Sequence, residues 1–278
     1  MLTRPLADID AYVAFLSGSE LPVLRHTRRQ LEEASLDIDN VSGKEISRVV
    51  LRDPLMAVKV LNYIQPFRGK SLRSDITTIG SAVMMLGVEP FFVKFTELPT
   101  IEDRLHDFPE AILGLVQLVR RVQHASQYAY DWALWRHDLN VEEVTLATLL
   151  HDLAELLIWA FAPTLAIDMK RMQKADPRLR SSSVQIQVLG IDLQELQRAL
   201  CRAWHLPELL QWLIDGTHAE HPRVRNVTLA VNLARHSANG WNDAALPDDY
   251  KAIGDLLGVS ADVVMKRVGA PGDTDTPA

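Results

Sequence analysis

The sequence predicts an all-α fold made of several helices in two packed helical lobes. Apolar residues recur at the three- and four-residue spacing of helices, for example along residues 49–63 and 113–122. Runs that alternate apolar and polar residues, which would indicate strands, are missing, and Asn239 with Gly240 lies between helical stretches rather than between strands. The 13 glycines among 278 residues also fit helices joined by short loops.

Capping residues place several helix boundaries. Asp53 offers a side-chain acceptor directly before a proline, which predicts a helix that runs to about Tyr63. Residues 74–76 (Ser-Asp-Ile) open a second helix, and Gly87 ends it. Residues 206–208 (Leu-Pro-Glu) mark a turn into a third helix.

Two regions and a tail can be separated along the chain. Residues 1–98 contain short amphipathic helices, and the polar, proline-flanked stretch 98–109 marks the junction. Residues 99–268 carry longer helices and all six tryptophans. The tail, residues 269–278, has no large apolar residue, so we expect it to be disordered.

Charge and composition exclude several function classes. A net charge of −7 and a pI of about 5.7 argue against binding to nucleic acid phosphates or anionic membranes. Cys201 is the one cysteine, so no internal disulfide can form, and a reducing cytoplasm is the expected compartment. The N-terminus becomes acidic where a signal peptide would be apolar, and the longest apolar run, residues 156–162, is far shorter than the ~20 residues that span a bilayer.

The most informative pair of residues is His151 with Asp152, in the run 147–157 (ATLLHDLAELL). On an otherwise apolar helix, adjacent His and Asp can present one imidazole nitrogen and one carboxylate to a single metal ion. A carboxylate without a partner in an apolar setting costs several kcal/mol, so a metal, an arginine or water must answer it. His124 precedes His151 by one helix and a turn, which lets antiparallel helices bring the two histidines together.

This order, a single His followed by an adjacent His-Asp, resembles the HD superfamily of metal-dependent phosphohydrolases. The surrounding chain narrows the resemblance to the HDOD family, over roughly residues 18–260. The stretches that carry the likeness are residues 21–24 (LPVL), 52–62 (RDPLMAVKVLN), 76–87 (ITTIGSAVMMLG) and 203–207 (AWHLP). The resemblance implies that the second lobe is HD-like.

Compared with catalytic HD proteins, the ligand set is incomplete. The resemblance implies a further Asp on a late helix, but Arg235 stands at that position. A guanidinium has no lone pair to give to a cation. Phosphodiesterases of the HD-GYP type also carry a Lys, a Gly and a downstream His where this chain has Glu155, Ala154 and Leu193.

We therefore expect no metal, no catalytic residue and no cofactor. A metal site remains the alternative, because His124, His151 and Asp152 could still converge with His218 or His236. The preferred interpretation of His151 and Asp152 is a buried polar cluster where helices pack, with His124 as a hydrogen-bonded core histidine.

The residue expected to replace the metal is Arg235. If the late helix faces Asp152, the guanidinium of Arg235 can meet the carboxylate with two parallel hydrogen bonds. Loss of one partner from such a pair would cost about 3–5 kcal/mol if the pair were fully buried.

Other residues that could carry chemistry have simpler explanations. His137 with Asp138 is another His-Asp pair, earlier in the chain, in a polar stretch that predicts a solvated loop. Cys201 lies in an apolar helix and is expected to pack as a small hydrophobic residue. The basic stretch 68–73 fits either a phosphate site or a short solvated loop. Three phenylalanines at helical spacing are expected in the core: Phe91, Phe92 and Phe95.

The leading functional hypothesis, which depends mostly on the family resemblance, is a non-catalytic regulatory module of bacterial signal transduction. It would act by contacts with signalling proteins or by binding a small-molecule ligand, with no nucleic acid or membrane partner. The alternative is a metal-dependent phosphohydrolase or cyclic-dinucleotide phosphodiesterase with an altered ligand set.

Overall fold

The computed structural model describes residues 1–65, 76–176 and 178–271, and the regular elements within these ranges are helices. The all-α prediction is confirmed. One isolated parallel bridge joins Val23 to Thr100, through hydrogen bonds from Val23 N to Pro99 O (2.8 Å) and from Ile101 N to Val23 O (2.9 Å).

The α-helices follow one another along the chain with short connections, and short 3₁₀ turns occur at Ile38–Asn40 and Ser237–Asn239. In chain order they are α1 Ile9–Ser17, α2 Arg25–Ser35, α3 Gly43–Val50, α4 Pro54–Ile64, α5 Ile79–Leu86, α6 Val88–Lys94, α7 Ile101–Arg104, α8 Pro109–Trp135, α9 Val141–Leu149, α10 Leu153–Phe161, α11 Pro163–Ala175, α12 Ser181–Leu189, α13 Leu193–Ala203, α14 Glu208–Asp215, α15 Pro222–His236, α16 Leu246–Leu257 and α17 Ala261–Val268.

The predicted start of α4 is confirmed. Asp53 Oδ1 accepts hydrogen bonds from the amides of Leu55 (3.0 Å) and Met56 (3.2 Å), and its Oδ2 accepts from Leu24 N (2.8 Å). The side chain is fully buried, and desolvation raises the pKa of the Asp53 carboxyl although these hydrogen bonds lower it. Asp53 thus caps α4 and also ties it to the start of α2.

Two further predicted boundaries can be compared with the structure. Gly87 ends α5 with a φ of +82°, a conformation that glycine adopts readily. Of the predicted start at residues 74–76, Ser74 and Asp75 lie outside the described residues, and α5 begins later, at Ile79. The turn at residues 206–208 does lead into α14, as expected.

The chain divides into two compact units. Unit 1 comprises Met1–Val119 and Asp152–Gln211, and unit 2 comprises Arg120–His151 and the described part of Trp212–Ala278. The predicted lobes 1–98 and 99–268 divide the chain at a different place, and that boundary stays a prediction. Of the predicted disordered tail, residues 272–278 lie outside the described residues.

Unit 1 is built around two helices that are apolar on nearly every side. In α10, every residue except Glu155 is buried, and most of α4 is buried as well. A helix that is apolar all round must be enclosed by other elements, and α4, α11 and α13 pack against α10. Gly114 of α8 allows a close approach, because a Cβ there would lie 2.4 Å from the ring of Trp159.

Unit 2 is organised around α15, which packs against α9 and α16. Ala125 of α8 forms a small apolar cluster with Val231 and Ala234 of α15. Asn226 of α15, fully buried, donates from Nδ2 to the carbonyl of Ala129 at 3.1 Å. Trp135 of α8 connects to the end of α16, because its Nε1 donates a hydrogen bond to Leu257 O at 3.2 Å.

Among the described residues, the segment Val141–Phe161 is long and apolar enough to cross a membrane by length and composition, with a mean hydropathy of 1.5. In the structure it is two helices, α9 and α10, and 78% of the segment is buried within the protein. Core helices of soluble proteins pass the same test, so this is weak evidence for a membrane span.

Candidate functional site

The sequence suggested that His151 and Asp152 lie within a helix. In the structure they lie in the turn between α9 and α10. The backbone amide of His151 donates to Thr148 O at 3.3 Å, and Asp152 is the residue before the first turn of α10. The break between the two helices places Asp152, a residue type that is poor in helix interiors, at the start of α10. Both side chains are partly exposed rather than buried.

The first turn of α10 is capped by another residue. Asp152 makes no side-chain cap. Instead, Gln197 of α13 accepts a hydrogen bond from Ala154 N at 2.7 Å, and its Nε2 lies 3.7 Å from Cys201 Sγ. Gln197 is buried, with 6% of its surface exposed. Asp152 therefore does not cap its own helix, and the residue has at least one other interaction.

The prediction that His124 is a core histidine is wrong, because His124 is exposed on α8. The buried side of this part of α8 carries Val122, Ala125 and Ala129, which turns His124 outward. The pairing of α8 with the following helix does occur, since Ser126 Oγ donates to Thr145 O at 3.0 Å.

His218 is also exposed, in the segment between α14 and α15. Its ring lies 5.0 Å from the ring of Trp212, measured between centroids, and the ring of His221 lies 4.5 Å from the same tryptophan. His221 accepts a hydrogen bond on Nδ1 from Arg223 N at 3.2 Å and so caps α15. Both histidines thus pack on the ring of Trp212, and His221 also caps the start of α15.

His236, the other candidate ligand, is engaged with a carboxylate. Its Nδ1 lies 2.6 Å from Oδ2 of Asp249, whose side chain is 9% exposed. Two phenols lie in the same region: burial raises the pKa of Tyr128, against a hydrogen bond with Ser237, and burial together with Asp249 raises the pKa of Tyr250. Both phenols therefore stay protonated at neutral pH, and the pair of His236 with Asp249 joins the end of α15 to α16.

Arg235 is exposed near the end of α15. Asp152 belongs to unit 1 and Arg235 to unit 2, and both residues have interaction partners. That the two pair with each other stays a prediction.

A metal ion of the HD type would need His and carboxylate ligands that lie close together. Within residues 1–65, 76–176 and 178–271, no three His, Cys, Asp or Glu side chains come together in a way that could hold a metal. At least three protein ligands are usual for zinc and related catalytic ions. The described residues therefore do not fit such an ion.

The pair of His137 and Asp138 lies in the turn before α9, as predicted, and His137 is exposed, but the Asp138 side chain is nearly buried. Asp138 accepts two hydrogen bonds from Arg223, Nε to Oδ2 at 2.9 Å and Nη2 to Oδ1 at 2.8 Å, and its side chain is only 8% exposed. Arg223 also reaches Glu143 at 3.4 Å. A signal for this ion pair was present in the sequence and was missed: one acidic residue lies before α9 and one within it, and an arginine lies in the first turn of α15.

Other predictions about single residues are confirmed. Cys201 is buried, and so are all three phenylalanines of the α6 region, Phe91, Phe92 and Phe95. The basic stretch 68–73 lies outside the described residues.

The comparisons with known proteins agree with this fold. The family model of the HDOD domain matches residues 21–220. The MmoQ response regulator from Methylococcus capsulatus str. Bath has a similar structure, with a TM-score of 0.70 and 16% identity over 91% of this chain and 99% of that chain. A virulence factor from Campylobacter jejuni subsp. jejuni has a TM-score of 0.65 and 19% identity over 96% of this chain and 94% of that chain. A search of curated proteins found no match.

Proposed function

Because the chain belongs to the HDOD family, we propose that it is a non-catalytic module of bacterial signal transduction that acts through binding. The observation that carries the proposal is that, among the described residues, the candidate ligands form no group of three that could hold a metal ion. His124 is exposed, His218 packs on Trp212, and His236 is engaged with Asp249. The name of the similar M. capsulatus structure, a response regulator, points in the same direction.

Arg235 adds a chemical argument to this proposal. Where the resemblance calls for a metal-binding carboxylate, the chain has a side chain that is always protonated and cannot ligate a cation. The Asp152 carboxylate and the His151 imidazole then lack the closing ligand that a hydrolytic metal needs.

Metal analysis of the purified full-length chain tests the proposal. We expect Zn, Mn and Fe far below one equivalent per chain. Hydrolysis of a cyclic dinucleotide and of bis(p-nitrophenyl) phosphate in added Mn²⁺ or Mg²⁺ should not exceed that of the Asp152→Ala variant. A stoichiometric metal, or a hydrolysis rate that Asp152→Ala abolishes, would instead establish the metal-dependent phosphohydrolase.

The proposed partners are signalling proteins, with a small-molecule ligand as the second option. A net charge of −7 disfavours nucleic acid and anionic membranes. The single cysteine is buried, and a chain with one cysteine cannot form an internal disulfide, which fits a reducing cytoplasm. Affinity purification from the native organism should recover a signalling protein rather than nucleic acid or membrane fragments.

A further inference from the structure

An open depression of about 540 Å³ lies in unit 1 between the end of α4 and α6. Its volume falls in the range of protein ligand sites. The lining residues are Tyr63 of α4 and, from α6, Glu89, Pro90, Val93 and Lys94.

One side of the depression is apolar and packs on a buried aromatic ring. The ring of Tyr63 stands edge-on to Phe95, with centroids 5.6 Å apart and an interplanar angle of 77°, and Phe95 is buried. Lys94 Nζ lies 4.7 Å from the centroid of the same ring. Pro90 and Val93 complete the apolar wall, so an apolar side chain would meet a largely preformed surface.

The walls are too exposed to enclose a free small molecule. Val93 is 76% exposed, and the other three lining residues of α6 are exposed as well. Small ligands usually bury 70–90% of their surface. An occupant of this depression must therefore also be held by the surface around it, as the side chain of a larger molecule would be.

The neighbouring helix, α5, also exposes apolar side chains. α5 packs against α6 and exposes two methionines, Met84 at 85% and Met85 at 39%. Methionine side chains adapt to different partners, and neighbouring exposed apolar residues are typical of protein interaction sites.

The charges at the rim indicate what the partner carries. Among the described residues, Glu89 forms no ion pair with a cation and Lys94 forms none with a carboxylate. They lie five positions apart along the helix, a rise of about 7.5 Å. A partner segment with one basic and one acidic residue on either side of its apolar anchor would complement both.

We infer that this face of α4, α5 and α6 binds a segment of a partner protein that presents an apolar or aromatic side chain between residues of opposite charge. The inference names a contact surface for the proposed function and rests on it only in taking the partner to be a protein. The peptide experiment below and the metal analysis above are independent, so that either can fail alone.

The test is an NMR titration of the ¹⁵N-labelled full-length chain with the peptide acetyl-Gly-Lys-Phe-Glu-Gly-amide. Its phenylalanine stands between one basic and one acidic residue, as the inference requires. We expect saturable shifts confined to Tyr63 and residues 84–95. A peptide with alanine in place of phenylalanine should cause none.

Charge reversal sharpens the test. The wild-type chain should bind the Lys-Phe-Glu peptide about fivefold more tightly than a Glu-Phe-Glu peptide, the scale of one exposed ion pair. Glu89→Lys should reverse this preference. Val93→Glu should abolish binding, whereas the matched control Val263→Glu, at a residue of unit 2 that is 45% exposed, should leave it unchanged.

The inference would be overturned by the absence of a saturable shift, by shifts elsewhere in the chain, by equal binding of the alanine peptide, or by an unchanged preference in Glu89→Lys. Equally tight binding of N-acetylphenylalaninamide alone would identify a small-molecule site and would also overturn it.

Discussion

The two His-Asp pairs of this chain stand at opposite ends of α9 and have different surroundings. His137 and Asp138 precede the helix, and His151 and Asp152 follow it. The same two residue types therefore occur within one helix length of each other. Their neighbours, rather than the pair itself, determine what each does.

The first pair is structural. His137 has a φ of +54° and ends α8 in a Schellman arrangement, with hydrogen bonds from His137 N to Leu134 O (3.0 Å) and from Asp138 N to Ala133 O (2.9 Å). Asp138 then uses both carboxylate oxygens on Arg223. The backbone of His137 thus ends a helix, and the carboxylate of Asp138 is held by an arginine.

At the second pair, a residue of another helix supplies the cap. Gln197 of α13 caps the first turn of α10, and the Asp152 side chain makes no cap. Asp152 is therefore not part of the cap of its own helix, and both residues of this pair have other interactions. A His-Asp dipeptide in a sequence therefore becomes informative only when its capping and ion-pair partners are known.

The largest expected effect in this comparison is the loss of Arg223. Arg223→Ala leaves the nearly buried Asp138 carboxylate without its bidentate partner. We expect the free energy of unfolding to fall by roughly 2–3 kcal/mol, less than for a fully buried pair because the Arg223 side chain is 22% exposed. Urea denaturation of the variant and the wild type measures this difference.

The matched control is Arg178→Ala. Arg178 forms the same two-pronged contact with Asp176, at 2.9 and 3.1 Å, but its side chain is 89% exposed. Solvent screening should leave no measurable change. Equal losses in the two variants would mean that burial does not distinguish Asp138 from a surface carboxylate.

The next effect concerns the cap at the second pair. Gln197→Ala removes the acceptor of the Ala154 amide in a buried setting, which should lower the free energy of unfolding by about 1–2 kcal/mol. Gln194→Ala, an exposed position on the same helix, should change it little. If the two variants were equally stable, then water or Asp152 would supply the cap in place of Gln197.

Glycine substitution should act with opposite sign at the two histidines. His137→Gly relieves a left-handed conformation and should raise the free energy of unfolding by roughly 0.5–1 kcal/mol. His205, with a φ of +49°, is a second position where glycine should stabilise. His151 has no positive φ, so His151→Gly should destabilise by a similar amount. Thermal unfolding of the three variants tests these signs, and stabilisation by His151→Gly would contradict the turn geometry.

The sequence predicted the fold and several helix ends because those depend on local patterns. Apolar spacing gave the helices, Asp53 before a proline gave the start of α4, and Gly87 gave the end of α5. The HDOD resemblance, which the family match confirms, came from ordered short motifs.

The site residues were less predictable because their roles depend on partners distant in sequence. Arg223 lies 85 residues from Asp138, and Gln197 lies 43 residues from Ala154. His124 was predicted to be a core histidine but is exposed, because a helix turns adjacent residues to different sides. The depression at α6 left no sequence signal, since exposed Val93 looks like any apolar residue of a helix.

The smallest expected effect tests whether Asp152 pairs with Arg235. The 3–5 kcal/mol cost of a fully buried pair no longer applies, because Arg235 is exposed. A double-mutant cycle with Asp152→Asn and Arg235→Gln should give a coupling energy of no more than about 1 kcal/mol at low ionic strength. In 1 M salt, where the screening length falls to about 3 Å, most of that coupling should disappear. Zero coupling under both conditions would show that another group balances Asp152, and the second His-Asp pair would then need a different partner to explain its place in the fold.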